Sequence, residues 1–157
     1  MTPRVNPYTA APDMVQALLA LSNKVMSSGL EKSLLHLVEI RSSQINGCAN
    51  CINLHTIEAR EQGETEQRLY LLSAWREAPC YTDRERAAIG WGEALTKLSE
   101  GADHQAAYDA LKAHFTEEEQ IKLTITINVI TGWNRLAVGL ELWVEPAAAK
   151  AMLKTAA

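Results

Sequence analysis

No apolar run in this sequence approaches the roughly 20 residues that a membrane-spanning helix needs. The opening MTPRVNPYTAAPDM has no apolar signal core, so neither membrane insertion nor secretion is expected and the cytoplasm is the expected compartment. Basic residues are not in excess. Lys and Arg number 15 against 19 Asp and Glu, a formal charge of −4, which leaves no electrostatic footprint for nucleic acid. Cysteines number three, too few and too odd for a disulfide scaffold, and they fit a reducing compartment. In that setting a close cysteine pair is redox-active or metal-binding rather than structural. Proline is confined to positions 3, 7, 12, 79 and 146, so residues 13–77 can form long helices. There is no internal repeat, low-complexity tract or shift of composition that would mark a second domain.

What remains is ordinary globular material. The chain has 157 residues, 47% hydrophobic and 22% charged, enough for one domain with a core of its own. The spacing predicts an all-α fold of about seven helices behind an extended arm over residues 1–11, with Tyr8 as its anchor. Pro12 suits a helix start, and Met14, Leu18, Leu21 and Val25 follow at helical spacing. Ser27-Ser28-Gly29 breaks that helix. A second stripe of Leu30, Leu34, Leu37, Val38 and Ile45 stops at Asn46-Gly47. A third helix spans residues 48–61, and Thr65 caps a short fourth one carrying Leu69, Leu72 and Trp75. Thr82 to Glu85 is a capping box that opens the fifth helix, and the sixth runs over residues 104–114. Thr116 to Glu119 is a second capping box, opening a long seventh helix that Pro146 stops. The alanine-rich tail to Ala157 suits one more short helix. Residues 121–129 alternate apolar and polar like a strand. The preceding capping box and the lack of a partner strand favour helix, apolar on more than one face and deeply buried.

Chemistry concentrates in Cys48-Ala49-Asn50-Cys51-Ile52-Asn53-Leu54-His55, at the start of the central third helix. On a helix, Cys48 and Cys51 are i,i+3 and Cys51 and His55 are i,i+4, so all three share one face. Both cysteines sit in the first turn, where unpaired N–H groups and the helix dipole favour a thiolate. The dipole favours Cys48 as the reactive thiol, whereas the base His55, one turn on, favours Cys51. Two plainer readings compete. A pair of small buried hydrophobes beside a satisfied histidine would make the shared face a costly coincidence. A zinc site wants four ligands, and Cys80, His36, His104 and His114 stand at no recognisable ligand spacing. Cys80 reads as a free loop thiol, and the four tryptophans as core or interface. Glu117 to Glu119 read as a helix start, and Asn134 and Arg135 as braces.

The segment EIRSSQINGCANCINLH, residues 39–55, resembles the core motif of the alkylhydroperoxidase D-like branch of the carboxymuconolactone decarboxylase superfamily. Residues 56–76 continue the likeness, and Trp133-Asn134-Arg135 resembles a segment of one bacterial branch. The resemblance covers about residues 18–141 of a single domain over residues 1–157. It implies an all-helical subunit assembled as trimers or hexamers, with no cofactor or metal. It implies thiol-dependent reduction of organic hydroperoxides, with a dithiol, protein or lipoamide, as reductant. Decarboxylase members lack the cysteine pair, so its presence counts against lactone decarboxylation. By resemblance Cys51 attacks the peroxide and Cys48 resolves it as a disulfide, with His55 as neighbouring base. The family's relay glutamate lies twelve residues before the first cysteine, where this chain has His36. Glu39, one helical turn on, fills the role instead, with His36 as the alternative relay member. The competing function is a disulfide oxidoreductase or redox-regulated binding protein using the same pair.

Overall fold

A computed structural model describes residues 2–101 and 103–149. Among them are helices and turns but no strand. The helices are α1 Pro7–Ala10, α2 Pro12–Met26, α3 Lys32–Ile45, α4 Ala49–Glu61, α5 Glu66–Leu71, α6 Asp83–Thr96, α7 His104–His114 and α8 Glu117–Leu140. Two 3₁₀ turns, Leu72–Ala74 and Leu98–Glu100, extend α5 and follow α6. The seven expected helices are all present, and α1 is added to them. The arm is therefore not extended throughout: Asn6 caps α1 by accepting from the Tyr8 N–H, and Pro7 pre-sets the first helical φ.

α3 is the central element, packed against α4, α6 and α8. Its burial explains why: Leu34, Leu35, Leu37, Val38 and Ile40 are all buried, on more than one side of the helix. One half of the core joins Leu34, Leu35 and Val38 to Leu111, Leu123 and Ile127. The other joins Leu37 and Ile40 to Leu69, Leu72, Trp75 and Ile89. The two capping boxes form as expected, with Thr82 and Glu85 opening α6 and Thr116 and Glu119 opening α8.

Residues 121–129 are helix, not strand. Their expected deep burial on several faces is only partly met. Leu123, Ile127 and Ile130 enter the core, whereas Ile121 and Ile125 are exposed, because they point away from the helices that α8 covers. α8 also ends at Leu140, six residues before the proline expected to stop it. Glu141 takes left-handed geometry, φ 56°, and the Leu142 N–H bonds back to the Ala137 carbonyl at 2.9 Å. That closes the helix by hydrogen bonding from the far side of the turn. Residues 146–149 are helical; the rest of the expected tail helix, residues 150–157, lies outside the described residues.

Candidate active site

The link between α3 and α4 positions the cysteines. Gly47 adopts left-handed geometry, φ 64°, and the Cys48 N–H bonds back to the Ser43 carbonyl at 2.9 Å. A side chain at that φ would be strained, so Asn46-Gly47 is the local reason α4 starts where it does. Cys48 is the N-cap of α4, and its sulfur accepts the Cys51 N–H at 3.2 Å. The two cysteines form a disulfide. Both are buried, packed with Ile130 and Ala137 of α8 and with Leu142.

Asn134 braces the end of α3 above this pair, as expected from its sequence position. Its amide donates to Ser43 Oγ at 3.0 Å and its carbonyl oxygen accepts from Asn46 Nδ2 at 2.8 Å. The fully buried Asn134 thus has its donor and acceptor both engaged, as burial of an amide demands. Arg135 is exposed and takes no part in this bracing.

One turn deeper, four side chains converge from two helices. α3 contributes His36 and Glu39, and α4 contributes His55 and Glu58, each an i,i+3 pair. His36 Nδ1 lies 3.3 Å from Glu39 Oε2 and 3.9 Å from Glu58 Oε2. His55 Nδ1 lies 3.4 Å from Glu39 Oε2 and 2.8 Å from Glu58 Oε2. His36 is buried and its Nε2 has no hydrogen-bond partner, so the ring's engaged edge is the one aimed at the carboxylates. Burial opposes the charged form of His55, but Glu39 and then Glu58 overcome it and push its pKa up to about 9. Burial likewise opposes the charge on Glu58, yet the hydrogen bond and charge of His55 hold its carboxyl below the usual range.

The structure therefore brings together all five residues singled out in the sequence: Cys48, Cys51, His55, Glu39 and His36. His55 thus lies between two carboxylates, whose charges favour its protonated form. Glu58 was missed by the sequence reading. The signal for it was present, since His55-x-x-Glu58 repeats the His36-x-x-Glu39 spacing, but nothing in the sequence says that the two pairs face each other. Cys80 packs against the Trp75 half of the core and stays a free thiol.

A cavity of about 410 Å³ opens beside the disulfide, and Cys51, Glu39, His55 and Glu58 all line it while Cys48 does not. Its other walls are largely apolar, among them Leu19, Met26, Leu54 and Leu142. Trp133 and Trp143 also wall it, where the sequence placed them in core or interface. Pro3, Asn6, Pro7 and Tyr8 from the arm and Leu142, Trp143 and Val144 after α8 also line it. Arg4 is tied to α8 by its backbone N–H to the Leu140 carbonyl at 2.9 Å and by an ion pair with Glu141 at 2.6 Å. Asn50 and Asn53 of α4 hold Val144 by hydrogen bonds of 2.8 and 2.9 Å. Residues of the arm and those just after α8 thus help to enclose the cavity that Cys51 faces.

The profile of the carboxymuconolactone decarboxylase family matches residues 12–94. YdfG of Bacillus subtilis, an uncharacterised protein, is 36% identical over 140 residues, 89% of this chain and 95% of its own. A protein of unknown function from Agrobacterium tumefaciens, suggested to be the antioxidant defence protein AhpD, is 45% identical. Its crystal structure matches with a TM-score of 0.87 over 92% of this chain and 100% of its own. The debrominase Bmp8 shares the fold at 22% identity, TM-score 0.78, over 91% of this chain and 76% of its own. At that identity the likeness concerns architecture alone.

Proposed function

The chain belongs to the carboxymuconolactone decarboxylase family, and from that premise we propose that it is an AhpD-like thiol peroxidase reducing organic hydroperoxides. The observation that carries this reading is the asymmetry of the pair: Cys51, not Cys48, faces the cavity that also presents His55 and Glu39. The 45% identical neighbour suggested to be AhpD supports it from outside.

In the reduced enzyme, the Cys51 thiolate attacks the terminal oxygen of the hydroperoxide. The O–O bond breaks, sulfur is oxidised to sulfenic acid, and the departing alkoxide takes a proton from the His55 imidazolium to leave as alcohol. Cys48 then attacks the sulfenic sulfur, releases water and closes the disulfide. Glu39 and Glu58, as carboxylates, hold the imidazole ring, and the proton that His55 gives up is restored from the Cys51 thiol once the pair has been re-reduced. A dithiol reductant, protein or lipoamide, reverses the cycle by attacking the cavity-facing sulfur of Cys51. The leaving Cys48 thiolate is stabilised by the Cys51 N–H that already points at its sulfur. The cycle needs a reducing compartment, the cytoplasm, and the chain works there as a homo-oligomer of three or six copies.

The test is hydroperoxide consumption by the purified protein with a dithiol reductant. Cys51→Ser abolishes turnover, and Cys48→Ser leaves a sulfenic acid at Cys51 that a dimedone-type reagent traps. Sulfenic acid at Cys48 in Cys51→Ser reverses the roles. Turnover of a disulfide substrate with none of any hydroperoxide makes the protein a disulfide oxidoreductase instead.

A further inference from the structure

We propose that His36, Glu39, His55 and Glu58 form a binding site for one divalent first-row transition-metal ion, of which zinc is the simplest case. The inference goes beyond the peroxidase reading and does not depend on it.

Three donor groups, those of His36, Glu39 and His55, stand within ligating range of one another, and Glu58 reaches both rings from α4. Two facing helices, α3 and α4, each present a histidine and a glutamate three residues apart. Paired inward-facing carboxylate and histidine ligands at i,i+3 spacing are how helical proteins build metal sites between helices. The four atoms that converge are the Nδ1 of each ring and the Oε2 of each carboxylate. The four nitrogen–oxygen separations, 2.8, 3.3, 3.4 and 3.9 Å, are edges of the polyhedron a bound ion would occupy. Zinc–nitrogen and zinc–oxygen bonds of ~2.05 Å in a tetrahedron give edges of about 3.3 Å. The four nitrogen–oxygen edges, of the six a tetrahedron has, bracket that value. His36, Glu39 and His55 alone already place their donor atoms within 4.8 Å of one another.

Charge and chemistry agree with geometry. Two carboxylates supply two negative charges at a site where Glu39 is buried, and a buried carboxylate needs a partner. A divalent ion cancels both charges at once. Two imidazole nitrogens with two carboxylate oxygens suit zinc, iron or manganese rather than magnesium or calcium, which prefer oxygen alone. The disulfide-bonded cysteines are not part of this shell. The cavity gives an ion a route in, because Glu39, His55 and Glu58 all line it. Ion and ring protons compete for the same electron pairs, so a bound ion displaces the His55 imidazolium and sets the peroxide cycle aside.

The full-length chain, freed of metal by chelation and kept oxidised, is titrated with Zn²⁺ and in parallel with Co²⁺. One equivalent of zinc per chain is expected to survive desalting, and Co²⁺ is expected to give the visible d–d absorption of a four-coordinate ion. The double variant C48S/C51S is expected to bind equally well. Glu58→Gln alters a partly exposed side chain and is expected to keep the helical circular-dichroism spectrum. It is expected to weaken affinity by at least about 100-fold, the upper end of what losing even an outer-sphere partner costs. No retained metal at micromolar concentration overturns the proposal. So does unchanged affinity in folded Glu58→Gln, or loss of binding in C48S/C51S, which would place the ion on the thiols. None of these readouts uses peroxide turnover, so failure of the peroxidase reading leaves them intact.

Discussion

Cys48 and Cys51 are three residues apart, yet their surroundings divide the labour between them. The sulfur of Cys48 caps α4 and receives an N–H, which suits a leaving or resolving thiolate. Cys51 faces the cavity with His55 one turn away, which suits the attacking one. His55→Gln is expected to raise the pKa of the reactive thiol and to slow peroxide reduction by about 10²–10⁴-fold, the usual worth of a positioned acid–base group. Rates of thiol alkylation across pH check this, and an unchanged profile removes His55 from the cycle. Glu93 illustrates a charge that serves the fold. Burial pushes its carboxyl upward, but Arg41 and Arg76, each at 2.5 Å, hold it below the ordinary value. A folded-state pKa below the unfolded one means stability that is present above about pH 4.3 and lost as pH falls through the folded value. Glu93→Gln is expected to cost about 1.5–3 kcal/mol at pH 7 and to flatten the loss of stability between pH 5 and 3, measured by urea unfolding.

At the scale of the element, α3 carries the fold and the site together. The stripe that buries Leu34, Leu35 and Val38 also sets the register at which Glu39 and His36 meet α4. Leu35 has no exposed surface and packs in the larger core cluster. Leu35→Ala is therefore expected to cost about 2–5 kcal/mol through lost burial and the cavity left behind, read from the urea midpoint. Ile121→Ala on α8 is expected to leave the urea midpoint of the isolated subunit nearly unchanged, because that side chain is 62% exposed. The opposite outcomes follow from one helical periodicity read against two different environments.

At the scale of the molecule, apolar side chains on neighbouring helices are exposed among the described residues. Met14 and Leu21 of α2 and Ile121, Ile125 and Val138 of α8 are all exposed, and α2 packs beside α8. A collection of large aliphatic side chains on adjoining helices is the usual mark of a subunit interface, and closed symmetric assemblies are the common way to cover one. Light scattering at micromolar concentration is expected to give at least three times 17.3 kDa, and Ile121→Glu with Ile125→Glu to lower that mass. A monomer mass for the unmodified chain counts against assembly through this face.

Periodicity, caps and breakers were enough to place α2 to α8, because each of those signals acts within a few residues along the chain; α1, in an arm expected to be extended, was not among them. The capping boxes at Thr82 and Thr116, the Asn46-Gly47 turn and the shared face of Cys48, Cys51 and His55 are of this kind. The strand-like alternation of residues 121–129 yielded for the same reason, since the Thr116 cap commits the chain to helix before the alternation begins. The end of α8 was not legible: Glu141 turns left-handed where no glycine announces it, tied to Arg4 from the other end of the chain. Nor was it legible that His55 and Glu58 would face His36 and Glu39, nor the cavity walled by Trp133, Trp143 and Asn-held Val144. These depend on which faces of α3 and α4 are opposed and on contacts across more than 90 residues of chain, as between Asn53 and Val144. Interactions local to the chain made helices α2 to α8 and the cysteine–histidine face legible in the sequence, though neither α1 nor the end of α8. Tertiary packing alone decided which cysteine meets a cavity and which charges meet each other, because those are set by distances between residues that the chain order does not hold together.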